Sequence, residues 1–376
     1  MKKNLYWTVF ACVALASCVN ESEPLLEENK GQQLTFGAPV MYNQSRHVGE
    51  IAPGTDYPAD ESFTVFAVEH DGDFVGWNAA NVIKKEDSQS DFFPADGEVV
   101  TRANDNHWYT SKDYYLPTEP NYKLSFAAYS PSRAKGVDLI SIDGESTVQG
   151  AISYGVDGLT ITNWRMPNTE MYDLMYTKRT TNVKQAEVPI AFLHALSSIH
   201  VAFAKPEHDG PEDVIVTKVA IKGADTDFMN VGTFKDRITS DASGQGALWE
   251  ELKAHELPAE YPIFNGTYNV PVTTPTEPAT NVRSFLPIPQ NITSDMKLVL
   301  SYRIQNKPGE TYEVVNNLEI PFLDFKIGGT TAVTEGWLRG HRYTYNITFG
   351  ALTKIKFHPS VENWTSVQDA GTYVVQ

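Results

Sequence analysis

The stretch Val188–Ala204, VPIAFLHALSSIHVAFA, constrains this chain more than any other. Ile190 and Phe192 alternate with smaller neighbours, and so do Ile199, Val201 and Phe203. A period of two marks half-buried strands. The inward positions are even before His194 and odd after Ser198. A pleated strand changes its inward face only through a bulge or bend, which places one at Ala195–Ser198. Strand-like segments lie on both sides of this apolar stretch, so it reads as the seam between two β domains.

The same alternation recurs along the chain. Lys123–Tyr129 puts Leu124, Phe126 and Ala128 on one face; in Tyr343–Phe349, Tyr343, Tyr345, Ile347 and Phe349 oppose Thr344, Asn346 and Thr348. Leu34–Val40 reads as the first strand, and Met41–Glu61 as a long exposed loop. Residues 255–290 are rich in proline and read as loop or broken edge strand. No long stretch sustains a helical period. An all-β chain of antiparallel sandwiches follows, and 376 residues suit two of them. The expected division is 1–17, 18–31, 32–186 and 187–376: leader, disordered tether, N-terminal sandwich and C-terminal sandwich.

Both cysteines, Cys12 and Cys18, fall at the very start, so the body holds no disulfide and no thiolate metal site. Lys2 and Lys3 precede an apolar run, Leu5–Ala16, that is too short to span a bilayer. Leu15-Ala16-Ser17-Cys18 then matches the bacterial lipobox, which implies cleavage before Cys18 and acylation of its thiol. The formal charge is −17, and loss of Lys2 and Lys3 makes it −19 (−17 minus 2). Such a surface argues against nucleic acid, which calls for basic patches.

Little in the chain carries chemistry. Metalloprotease, nucleophile-elbow, Walker and dinucleotide motifs are all missing, and no catalytic residue, cofactor site or metal site is assigned. Asp71-Gly72-Asp73 lacks the remaining ligands of a calcium loop and reads as a turn, as do Asp225 and Asp227. His194 and His200 read as sheet histidines. Trp77, Trp108, Tyr114 and Tyr115 either fill a core or stack on sugar rings. Arg46, in the loop after the first strand, is either an ordinary exposed arginine or a protease target.

Taken together, the lipobox, LTFG at Leu34–Gly37, Trp108-Tyr109 through Leu116-Pro117, KLSFAAY, Asp173–Tyr176, FLHALSSI, Gly336-Trp337 and Val361–Trp364 resemble the fimbrillin family. These are the lipoprotein-derived pilins of Bacteroidales that build type V pili. The resemblance implies two transthyretin-like, Ig-like β-sandwiches, an outer-membrane lipid anchor on Cys18, and a fimbrium at the cell surface. It also implies proteolysis at Arg46, removal of Leu34–Val40, and strand exchange with other pilin subunits. The C-terminal segment Asp369–Gln376 is either the donated strand or a frayed tail. Two readings stand: a stalk or tip subunit supporting adhesion, or a non-polymerising surface lipoprotein that binds a glycan or host ligand.

Overall fold

The computed structural model describes residues 31–41, 57–77, 79–83, 92–94, 96–132, 152–155, 158–166, 171–177, 180–205, 213–223, 228–236, 247–255, 257–272, 276, 285–307, 310–327, 331–332, 336–350 and 355–363. Cys18, Arg46, Asp225, Asp227 and the tail Asp369–Gln376 lie outside these residues.

The expected first strand is two short pieces, β1 (Thr35–Phe36) and β2 (Val40–Met41). Next come β3 (Ser62–Asp71), β4 (Glu98–Arg102), β5 (Trp108–Thr110) and β6 (Tyr122–Ser130). A hairpin of β7 (Ile152–Gly155) and β8 (Gly158–Arg165) precedes β9 (Met175–Thr177) and β10 (Thr180–Val183). The seam then supplies β11 (Glu187–Val188) and β12 (Ala191–His194).

The largest sheet runs β11-β1-β5-β4-β3-β6-β9-β12-β2, with β10 also paired to β6. Since β1–β2 is one stretch of chain and β11–β12 another, the path ends where it began and the sheet closes into a barrel. These two stretches run parallel, which the expectation of antiparallel sandwiches did not include. Thr35 lies opposite Glu187 and Phe36 opposite Val188, then Val40 opposite Ala191 and Met41 opposite Phe192. The offset falls by one between the pairs (187 − 35 against 191 − 40), so Gly37–Pro39 bulge against Pro189–Ile190.

At Ala195–Leu196 the chain bends out of the barrel, and β13 (Ser198–Ala204) starts a different sheet. Thereafter come β14 (Asp213–Lys222), β15 (Val231–Asp236), β16 (Ala247–Lys253) and β17 (Tyr261–Asn269). The chain continues through β18 (Lys297–Lys307), β19 (Glu310–Pro321), a 3-10 turn at Phe322–Asp324, β20 (Lys326–Ile327) and β21 (Thr331–Ala332). It ends with β22 (His341–Phe349) and β23 (Ile355–Asn363). They form sheets ordered β17-β14-β18-β19, β13-β22-β23 and β20-β21, while β16-β15 pairs with the earlier β8-β7. The division expected at 186/187 therefore falls between β10 and β11 of the barrel, and β8 reaches across it to β15.

Two apolar cores result, and they share strands. Phe63, Val65, Leu124, Phe126 and Ala128 face the barrel interior. Phe66, Val68, Ala127 and Tyr129, on the opposite face of β3 and β6, belong to the larger core with Ile161, Phe234 and Trp337. That is why β3 and β6 are buried almost throughout rather than at alternate positions. Trp337 is placed by Gly336, whose φ of 76° suits glycine; a Cβ there would meet the Gln290 carbonyl oxygen at 2.5 Å.

Candidate functional site

The segment that closes the barrel is held along both edges. On one side the Leu34 N–H donates to the Tyr114 carbonyl (2.8 Å), and the Leu116 N–H donates to the Gln32 carbonyl (2.9 Å). On the other, the N–H groups of Thr35 and Gly37 donate to the carbonyls of Ala186 (2.9 Å) and Val188 (3.0 Å). The Gln33 amide also donates to Asp113 at 3.0 Å. Alternation does the rest: Leu34 and Phe36 are buried in the barrel core, while Thr35 and Gly37 are only half-buried. The Phe36 ring stands edge-on to Phe63 (6.1 Å) and Phe126 (5.8 Å). Burying one such side chain is worth about 1.5–3 kcal/mol, and each net hydrogen bond about 0.5–1.5 kcal/mol.

The edges on which the segment lies are themselves braced. Glu98 on β4 is buried; its carboxylate accepts from the Tyr114 hydroxyl (2.7 Å) and the Ser111 hydroxyl (3.1 Å). Tyr114 packs against Phe93 at 4.6 Å, and burial together with the Glu98 carboxylate pushes its hydroxyl pKa up. These contacts hold the Tyr114 carbonyl where the Leu34 N–H meets it. The opposite edge, β11–β12, is fixed by β9 through Leu193 opposite Tyr176 and His194 opposite Met175.

Beyond residues 42–56 the chain is anchored again at Tyr57, which is buried rather than part of an exposed loop. Its hydroxyl donates to the Ser62 carbonyl (3.0 Å) and lies 2.7 Å from the Ser130 hydroxyl. Its ring stacks on Phe192 at 5.6 Å and meets Trp108 at 5.2 Å. Burial raises the pKa of this hydroxyl, so it stays protonated. Tyr57, Glu98 and the parallel partner β11–β12 were not read as part of a site from sequence. A lone Tyr after a loop and a Glu heading a short strand carry no period to flag them.

The other candidates resolve into structural roles. Gly72 turns the chain with φ 75°, the Asn81 amide donates to the carbonyls of Asp71 and Asp73, and the Asp73 carboxylate takes the Lys123 ammonium. Among the described residues, no cluster of His, Cys, Asp and Glu is placed to hold a metal ion. Trp77 and Trp108 are buried in the two cores and offer no ring to a sugar; Tyr114 and Tyr115 are half-buried. His194 pairs its Nδ1 with the buried Asp173 (2.8 Å to Oδ2), and His200 Nε2 lies 2.9 Å from the Ser198 hydroxyl. Among the described residues, no helix is long and apolar enough to cross a membrane.

Comparison with known proteins follows the same line. A fimbrial protein from Bacteroides vulgatus has a similar fold, with a TM-score of 0.57 at 18% identity, over 89% of this chain and 100% of that one. The tip fimbrial protein Mfa3 from Porphyromonas gingivalis aligns over 89% of this chain and 99% of its own, at 9% identity and a TM-score of 0.34. No curated protein matches the chain. The family described as fimbrillin-like matches residues 53–364, from just before Tyr57 to just past β23. A match of that extent, on an all-β fold, places the chain among structural rather than enzymatic proteins: it belongs to the fimbrillin-like family.

Proposed function

We propose that this chain is a subunit of a cell-surface fimbria, exported as a lipoprotein through Cys18 and assembled by strand exchange. The observation that carries the reading is the two-sided pairing of Leu34–Met41. That segment closes the barrel, yet its only covalent link to the body runs through residues 42–56, where Arg46 lies. A cut at Arg46 leaves its hydrogen bonds intact and removes only the tether. Once it departs, β5 with the Tyr114 edge and β11–β12 present unpaired N–H and C=O groups beside a groove lined by Phe63, Phe126 and Phe192. An incoming extended strand from a second subunit replaces the same bonds, so the exchange is driven by side-chain fit rather than by hydrogen-bond count. Tyr57, beyond the cut, stays with the body through its ring contacts to Phe192 and Trp108.

Of the alternative, a non-polymerising surface lipoprotein that binds a glycan or host ligand, the glycan form is weakened because Trp77 and Trp108 lie in the cores.

Treatment of the purified body with an Arg-specific protease tests the proposal. Wild type is expected to form SDS-resistant ladders, and Arg46→Ala to stay monomeric. A chain truncated after Trp364 forms none if the tail Asp369–Gln376 is the donated strand. Cleaved wild type that remains monomeric overturns the assembly reading. For the anchor, Cys18→Ala is expected to leave the detergent phase, since acyl chains hold by about 0.8 kcal/mol per buried CH₂; unchanged partitioning counts against lipidation.

A further inference from the structure

A sheet edge offers a row of unpaired N–H and C=O groups to any passing strand. The main path of the barrel sheet closes on itself while Leu34–Met41 is in place, with the short β10 paired to β6 alone. The other sheets do not close. Among the described residues, β7, β13, β16, β17, β19 and β23 each end a sheet, as do both strands of the β20-β21 pair; the outer edge of β13 takes bridges from Phe285 and Thr276.

The edges of β7, β16, β17, β19 and β23 are each interrupted. On β19, Ser301 opposes both Asn316 and Asn317, because Leu300 pairs with Leu318 and Tyr302 with Val315. Asn317 has φ 54°, in the left-handed region, and its N–H turns inward to the Ser301 hydroxyl at 2.9 Å. On β16 the register slips against Gly232, between Val231–Lys253 and Thr233–Glu250, and Glu251 there has φ 52°. On β17, one register shift falls between Asn265 and Tyr268 and another between Pro262 and Phe264. On β23, Pro359 lies opposite Tyr345 in an unbroken antiparallel ladder. Proline has no N–H, so that ladder continues only if its nitrogen faces the outer edge, where it has nothing to donate. β7 is only four residues long. Left-handed bulges, proline and shortness all do one thing: they deny a second strand a straight ladder.

We propose that these interruptions, above all Asn317 on β19 and Pro359 on β23, are specificity determinants that confine strand addition to the Leu34–Met41 groove. The partner they turn away is an extended segment of a second copy of this chain. The inference rests on the strand-exchange reading, but it concerns which edges are closed, and it is tested without cleavage. Before any cut, these interruptions leave β7, β16, β17, β19 and β23 without a straight ladder, and the molecule stays single. After the cut, the vacated groove adds two facing edges beside the apolar slot left by Leu34 and Phe36, so growth is linear rather than lateral.

The experiment compares uncleaved wild type, Pro359→Val, Asn317→Val and the double variant by size-exclusion chromatography with light scattering across a concentration series. Pro359→Val restores an outward N–H, and Asn317→Val disfavours the left-handed turn. Wild type is expected to remain monomeric, and the double variant to reach at least twice the monomer mass at concentrations where wild type does not. Folded variants that stay monomeric overturn the proposal, as does wild type that associates uncleaved. A second measurement needs no variant. Cleaved wild type is mixed with a saturating peptide copying residues 32–41, which is expected to abolish association; association that persists overturns the proposal. Cleaved wild type that never associates counts against the assembly reading alone, and the uncleaved variants still decide this one.

Discussion

The rings of Phe36 and Phe126 meet edge-on, with centroids 5.8 Å apart and planes at 89°. Phe36 comes from the segment that closes the barrel, and Phe126 from the middle of β6, one of the strands that the two cores share. Phe36→Ala therefore removes a fully buried ring from the barrel interior, at a cost of about 3–5 kcal/mol. Denaturant unfolding should show the loss directly, whereas Thr35→Ala, on the half-buried face of the same strand, should shift the midpoint little. Equal effects at the two positions would refute the assigned inward face.

Asp173, just before β9, and His194, at the end of the adjacent β12, form a buried pair, with side chains 2% and 1% exposed. Asp173→Ala strips the ring of its partner in a dry site, and a loss of about 3 kcal/mol is expected. Replacing both residues by apolar ones of similar volume should recover part of that loss. A double-mutant cycle with no coupling between the two positions would show the pair to be idle.

His70 is buried, with Nδ1 3.0 Å from the Gly72 carbonyl and Nε2 2.9 Å from the Ser125 hydroxyl. A carbonyl only accepts, so Nδ1 carries the proton and Nε2 accepts from Ser125. Burial lowers the pKa of this ring from 6.5, and Lys123 adds to that; the Gly72 carbonyl and Asp73 oppose it. The unfolded chain thus takes up a proton below about pH 6.5 where the folded one does not, and stability falls as pH drops through that window. The slope contributed by this one ring is at most about 1.4 kcal/mol per pH unit. Melting curves between pH 7 and pH 5 should show the decline, and His70→Asn should flatten it. An unchanged slope in the variant would assign the decline elsewhere.

Strands shared by two cores tie their unfolding together. Val65 and Phe66 are neighbours on β3, yet one faces the barrel and the other the larger core. Calorimetry is expected to give a single endotherm, because neither core outlasts the loss of β3 and β6. Two well-separated transitions would show that the halves unfold on their own.

Much of this was legible in the sequence. Tyr343, Tyr345, Ile347 and Phe349 are buried as their alternation required, and the stretch Leu34–Val40 does pair, through Thr35, Phe36 and Val40. An alternating pattern names the inward face but not the neighbour, so the parallel partner Glu187–His194 was out of reach. Ser125 and Ala127 looked like the outer face of Lys123–Tyr129, but small residues are also what a second packed layer requires, and both are buried. Tyr261–Asn269 hid behind Pro262 and its bulges, which break the period that would have revealed a strand. Asp173 stands far from His194 in sequence and meets it only because β9 and β12 are neighbours.

The parallel run of β1–β2 beside β11–β12 also settles how this joint responds to force. A pull on the chain before Leu34 draws β1–β2 backward along its axis, while resistance from the chain beyond His194 draws β11–β12 forward. The two strands slide against each other, and their cross-strand bonds are loaded together rather than peeled one after another. The closing segment is fastened in shear, the geometry that resists tension best.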